Sequence, residues 1–175
     1  MIRMTPPPTT STTPPRWAVR AAHATALLVL PSGLWRIALA LGHPAGYTAE
    51  GFADFQSPDA RLWLVVLSVV SELLALLTIG LVRPWGETLP RWVPYVGGRA
   101  VPTRPVVVTA GLGALALTAL WAGIPWWWTY PHDGMTDTGH LVVGILYQPL
   151  VLWGPLLAAV TLSYHRRRTR HRTTA

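Results

Sequence analysis

Cysteine and lysine are both missing from this 175-residue chain, and acids are scarce: seven, against fourteen arginines, with charged residues only 12% of the total. Without a thiol there is no disulfide framework, no thiolate metal site and no thiol redox chemistry. So low a charge content excludes a solvated acidic or basic tail protein, which would be charge-rich and apolar-poor. Several chemical signatures are lacking as well. The chain has no P-loop, no Gly-x-Gly-x-x-Gly fingerprint, no Gly-x-Ser-x-Gly elbow and no His-Glu-x-x-His pair. Nor does it have a clustered aspartate motif of the kind that holds magnesium diphosphate. No cofactor is expected.

What the chain does have is apolar length. About half of it (51%) is hydrophobic, with 10 Trp, 17 Pro and 15 Gly, and the apolar residues fall in four blocks. A bilayer core of roughly 30 Å needs about 20 apolar residues in a helix. Leu62–Val82 meets this with Glu72 as its one charge, and Val106–Ile124 is uncharged up to Pro125 and Trp126-Trp127-Trp128. Leu141–Tyr164 is uncharged but carries Gln148, Pro149 and Pro155, and Arg20–Leu41 contains His23, Pro31, Ser32 and Arg36. Only helices and closed barrels satisfy their backbone in lipid, and the blocks lack the strict alternation of a barrel. The expected fold is an all-α, polytopic membrane protein with four transmembrane helices in an antiparallel bundle. The first block also resembles a signal peptide, with Ala38-Leu39-Ala40 as its cleavage site. The long polar leader and Arg36 just ahead of that site favour an uncleaved anchor.

Arginine placement orients the bundle. Arg3, Arg16 and Arg20 precede the first span; Arg83, Arg91, Arg99 and Arg104 lie between the second and third; Arg166, Arg167, Arg168, Arg170 and Arg172 follow the fourth. The opposite loops hold Arg61 alone. The positive-inside rule therefore puts both termini in the cytoplasm of a cell-membrane protein. The basic excess is then a matter of topology and lipid headgroups, and nucleic acid is not an expected partner. Residues 1–15 read as a disordered Pro/Thr-rich tail, 16–165 as the membrane domain and 166–175 as a basic cytoplasmic tail. The Pro-, Gly- and Trp-rich stretch 83–99 suits a loop along the membrane surface, and the Trp triplet suits an aromatic belt at the opposite interface.

Candidate chemistry sits on polar residues inside the spans. Glu72 lies near the centre of its span, roughly 15 Å from either surface, where a carboxyl group costs about 2.5–3.5 kcal/mol to insert. Ser68, Ser71, Glu72, Ala75 and Thr78 share one helix face, the small or polar stripe of a packed interface. On the first span Thr25, Ser32, Arg36 and His43 return to one face. A hairpin of these spans is expected to bring Arg36 to Glu72 as a direct or water-bridged pair. In the fourth span Gly144, Gln148, Val151 and Pro155 share a face, with Tyr147 beside it. The substrate or ion pathway candidates are thus Glu72, Arg36, Ser68, Ser71, Tyr147 and Gln148. In the third span Ala110, Ala114 and Thr118 have small-xxx-small spacing for close packing. His43, His132 and His140 are weak metal candidates, since no pair has compact helical ligand spacing; no metal is expected. A faint internal echo, Leu34-Trp35 against Leu120-Trp121 and Leu64-Val65-Val66 against Leu141-Val142-Val143, hints at two similar hairpins.

The arginine-only basic set and the segment Arg83-Pro84-Trp85-Gly86, Pro90-Arg91-Trp92-Val93-Pro94 and Gly97-Gly98-Arg99 resemble small four-span integral membrane proteins of high-GC actinobacteria. The resemblance spans Arg16 to Arg168 and rests on composition and layout. It implies topology and localisation, and it transfers no activity and no site residue. Three functions follow as expectations. The foremost is a non-enzymatic accessory or interaction subunit, whose partners are membrane lipids and another membrane protein or a second copy of the chain. The alternatives are a small carrier or proton-linked permease component using Glu72, and an intramembrane enzyme on a lipid-soluble substrate. In the last, Glu72 would be the general acid and Arg36 the charge stabiliser.

Overall fold

The computed structural model describes residues 13–86, 88 and 98–170. Over these the protein is all-helical, with no β-strand and two isolated bridges, Tyr47 with Met135 and Thr88 with Ala100. The helices are α1 (Arg16–Ala40), α2 (Ala49–Ala53), α3 (Pro58–Gly80), α4 (Thr103–Trp121), α5 (Asp137–Tyr147) and α6 (Trp153–Arg170). Four helical stretches are long and apolar enough to cross a membrane: Arg16–Ala40, Pro58–Gly80, Thr103–Thr129 and Asp137–Thr169. The fold is therefore compatible with a multi-pass membrane protein.

Each stretch begins three or four residues before its apolar block, and side-chain capping sets two of these starts. Ser57 accepts from the Ala60 N–H at 3.2 Å, with Pro58 opening α3; Thr136 accepts from the Gly139 N–H at 3.0 Å to open α5. α1 runs on through Pro31. The fourth block is not one helix. α5 stops at Tyr147, residues Gln148–Leu152 form a 3₁₀ turn, and α6 resumes at Trp153. Pro149 is the cause: it has no N–H to continue the α-helical ladder, and its ring crowds the carbonyl one turn back. Pro155, by contrast, falls in the first turn of α6, where its missing N–H has no partner to lose.

α1 packs along α3 and also against α6, while α4 packs on α6. Gly154 makes the last contact possible, since a Cβ there would collide with Thr118 and the Ala114 carbonyl. The small residues Ala110, Ala114 and Thr118 thus serve packing, as their spacing implies. One apolar cluster gathers Ala18, Ala22, Leu81, Val82, Val160 and Tyr164; a second gathers Val29, Ala75, Leu150 and Trp153.

The arginines of the final stretch have specific work. Residues 166–170, expected as the start of the basic tail, continue α6. Arg167 donates to the Leu81 carbonyl at 2.7 Å, at the C-cap of α3 where the helix dipole favours a cation. Arg168 donates to the Val101 carbonyl at 3.0 Å and to Thr103 Oγ1 at 3.3 Å, and the Tyr164 hydroxyl donates to the Gly86 carbonyl at 3.0 Å. The expected tail up to residue 12, the surface loop over Leu89–Gly97, and the chain from His171 onward lie outside the described residues.

Candidate functional site

Arg36 is the centre of the polar interior. About one turn before the end of α1, its side chain is 5% exposed, on the same face as Ser32 and Thr25, which are fully buried. Its Nε donates to Ser68 Oγ at 3.2 Å and its Nη1 to the Tyr147 hydroxyl at 3.2 Å. Ser68 donates in turn to the Leu64 carbonyl at 2.8 Å, with the Gly33 carbonyl a second acceptor at 3.3 Å. One guanidinium fork therefore joins α1, α3 and α5, using the planar geometry that suits arginine to several acceptors at once.

Glu72 lies one turn further along α3 from Ser68, with its Oε1 enclosed and without a hydrogen-bond partner. That oxygen faces Gly33 of α1, where an added Cβ would sit 3.1 Å away. The pair expected with Arg36, direct or water-bridged, is not a direct one. Among the described residues no ion pair joins them, and Arg36 donates instead to Ser68 and Tyr147. Of the other candidates, Ser71 bonds back to the Leu67 carbonyl of its own helix at 2.6 Å and stands apart. Gln148 donates to the Ile124 carbonyl at 2.9 Å, tying the helix break to the 3₁₀ turn Ile124–Thr129. The structure thus brings together Arg36, Ser68 and Tyr147, with Glu72 adjacent, and leaves Ser71 and Gln148 outside.

Tyr147 is also where the two Leu-Trp echoes meet. The Trp35 ring stands edge-on to it with centroids 5.7 Å apart, and Trp121 lies on it at 5.9 Å. Beyond Trp35, Tyr47 is 5.9 Å away and packs on Phe55 at 4.8 Å. Burial pushes the Tyr47 hydroxyl up to about 12, with the nearby Tyr147 adding to the effect.

The echo extends into a motif that sequence reasoning missed. Gly46-Tyr47-Thr48-Ala49-Glu50-Gly51 and Gly134-Met135-Thr136-Asp137-Thr138-Gly139 are both Gly-x-Thr-x-x-Gly, and they clasp each other with approximate two-fold symmetry. Thr48 N–H donates to the Gly134 carbonyl at 2.8 Å, and Thr136 N–H to the Gly46 carbonyl at 3.0 Å. Each threonine hydroxyl donates to that same carbonyl, at 3.1 and 3.0 Å, and accepts from the N–H of its own Gly51 or Gly139. Gly46 and Gly134 have φ of +99° and +85°, a region costly for other residues. Gly51 and Gly139 lie so close to the opposing backbone that a Cβ would overlap it. The repeat was present in the sequence, but neither copy is apolar, so it carried no periodicity to draw attention.

The histidines divide. His132 and His140 come together, ring centroids 4.9 Å apart, with Trp127 stacked on His132 at 3.6 Å and donating to the His140 carbonyl at 3.1 Å. His43 instead accepts from the Ala45 N–H at 3.0 Å within its own turn. Among the described residues no three His, Asp or Glu side chains are grouped to hold a metal. Trp126 and Trp128 are exposed. No protein-family model, curated protein or solved structure matches this chain.

Proposed function

We propose that the chain is a non-enzymatic accessory or interaction subunit of a cell membrane, crossing it four times with both termini in the cytoplasm. The orientation rests on arginine placement, which leaves Arg61 alone in the loops at the clasp end. The layout is that of the small four-span actinobacterial proteins the sequence resembles. Because the chain has no cysteine, single cysteines introduced at Ser57 and at Thr169 test the orientation directly. In intact cells a membrane-impermeant maleimide should label the first and spare the second.

The observation that carries the interaction role is α4. It buries one residue, Ala114, against α6. On another face Val108, Leu112, Leu115, Ala119 and Ala122 are all exposed and follow one another at steps of four and three. That is the seam by which a helix receives the knobs of a partner helix, and small residues toward one end of it allow close approach. The partner such a seam fits is another membrane-spanning helix. The buried polar centre agrees with such a role, since Arg36 bonds to Ser68 and Tyr147 and braces three helices. An enzyme would need that guanidinium turned to a substrate.

Native mass spectrometry of protein gently extracted from its own membrane tests the proposal. A second protein should be present in stoichiometric amount and be lost from Ala119→Trp, a change on an exposed position that leaves the fold intact. Wild-type protein free of any protein partner would refute it. A proton-linked carrier component is the second possibility, favoured by one specific feature: the enclosed, partnerless Glu72 Oε1 beside a helix broken at Gln148–Leu152. Broken helices near the midplane are where carriers place their ion sites.

A further inference from the structure

Between α3 and α4, toward the end where Arg167 and Arg168 bond to Leu81 and to Val101, lies a cavity of about 670 Å³. That is within the range of roughly 300–1,000 Å³ seen for small-molecule sites. Its walls are apolar: Leu74 and Leu77 on one side, Val106, Thr109 and Gly113 on the other, and Leu157 of α6 behind. Because α3 and α4 are both long enough to span a membrane, an opening between them faces acyl chains, not water. We propose that this groove binds one acyl chain of an anionic phospholipid, with the headgroup held by Arg83 and Arg104.

Three features choose this occupant. Setting favours a lipid chain: the groove is lined almost wholly by apolar side chains, and its two walls belong to helices of membrane-spanning length. A single chain fits such a space along its length. Charge then selects the headgroup. Trp85 and Gly86 line the cavity just after Arg83, and Val101 and Pro105 line it on either side of Arg104. Both arginines are exposed, placing two cations at the mouth where a phosphate would lie. Trp85 folds its ring against Gly80, where a Cβ would meet it at 2.5 Å, and so forms an amphipathic lip.

The third feature is Thr78. It lines the groove at 1% exposure, yet its Oγ1 has no hydrogen-bond partner. Thr118 and Thr161 show the ordinary solution, donating to the carbonyls of Ala114 and Leu157 on their own helices at 2.7 Å. Thr78 does not, so a buried donor is left for something else. It lies five residues before Arg83, about 7–8 Å deeper along the helix direction. Beneath a phosphate at Arg83, that is the depth of a glycerol ester carbonyl, an acceptor for the Thr78 hydroxyl. Groove, donor and cations fall in the order of a phospholipid's chain, ester and phosphate. The site is separate from the exposed α4 seam, so it stands or falls apart from the proposed partner.

The test uses the full chain, stripped of lipid in neutral detergent and titrated with phosphatidylglycerol or phosphatidylcholine of equal chain length under native mass spectrometry. Wild-type protein should hold one phosphatidylglycerol with at least tenfold preference. Gly113→Leu fills the groove, with room for its Cβ 3.9 Å from Leu157, and should weaken both lipids about tenfold, the loss of roughly two buried methylenes. Arg83→Gln with Arg104→Gln should lower the phosphatidylglycerol affinity about fivefold per arginine and leave phosphatidylcholine unchanged. Thr109→Leu is a second groove-filling variant, and helical circular dichroism identifies those that fold. Equal binding of the two lipids by wild type, or undiminished binding by a folded groove-filling variant, overturns the proposal. So does a protein segment retained in place of lipid.

Discussion

Cutting one threonine from the clasp gives the sharpest quantitative test of the fold. Thr48→Ala removes two hydrogen bonds. Its Oγ1 accepts from the Gly51 N–H at 3.2 Å as the cap of α2, and donates to the Gly134 carbonyl at 3.1 Å. A lost N-cap costs typically about 1 kcal/mol, and a lost neutral hydrogen bond about 1 kcal/mol more. Thr48→Ala should therefore destabilise the protein by about 2 kcal/mol. Thr136→Ala removes the mirror-image pair, at 3.0 and 3.0 Å. Thr136 is more exposed than Thr48, so water replaces part of what is lost, and about 1–1.5 kcal/mol is expected. Both residues hold the same two backbone segments together, so the double variant should depart from additivity by at least about 0.5 kcal/mol. Reversible unfolding in mixed micelles, followed by circular dichroism, measures each value. Thr48→Ser and Thr136→Ser keep the hydroxyl and should lie within about 0.5 kcal/mol of wild type. If Thr48→Ser is as damaging as Thr48→Ala, or if Thr48→Ala is neutral, the hydroxyl does not hold the clasp and the reasoning fails.

Other outcomes follow from the same geometry. Gly139→Ala and Gly51→Ala put a methyl group into opposing backbone and should each cost about 1–3 kcal/mol, by the same unfolding assay. Tyr147→Phe and Ser68→Ala each remove one partner of Arg36 between helices; about 0.6–1.7 kcal/mol apiece is expected for bonds in a membrane interior, again by reversible unfolding. Glu72→Gln should change stability by less than about 1 kcal/mol, because no direct ion pair is broken. In sealed vesicles under a pH gradient, loss of proton flux in that folded variant would establish the carrier role, and unchanged flux would dismiss Glu72 from it. Raising the pH should weaken the clasp end. Tyr47 titrates near 12 when folded against 10.0 when free, so its contribution is complete below pH 10 and falls away as pH climbs from 10 to 12. The full shift is discounted for a half-exposed group, leaving about 1 kcal/mol, and Tyr47→Phe should abolish that part of the pH dependence.

Hydropathy and length were enough to read four membrane-length helices in an all-helical chain, because a membrane-spanning segment must satisfy its own backbone over a fixed distance. The buried status of Thr25, Ser32 and Arg36 was legible for a related reason, since helical spacing puts them on one face whatever lies opposite; His43, expected on that face too, falls beyond the end of α1 and is exposed. The packing role of Ala110, Ala114 and Thr118 was readable in the same way. Opposite faces are where sequence stopped. That Arg36 bonds to Ser68 and Tyr147 while Glu72 turns to Gly33 depends on how far α3 slides along α1 and where α5 ends. Pro149 marked the fourth span as irregular, but only packing decided that its break would seat Tyr147 between Trp35 and Trp121. The paired Gly-x-Thr-x-x-Gly segments stood in plain view, yet their meaning lies in contact between two remote turns, and no local propensity encodes which carbonyl a threonine will reach. Local periodicity determines which residues face inward; the tertiary structure decides what they meet, because buried polar groups take whichever partners the helix register brings within about 3 Å.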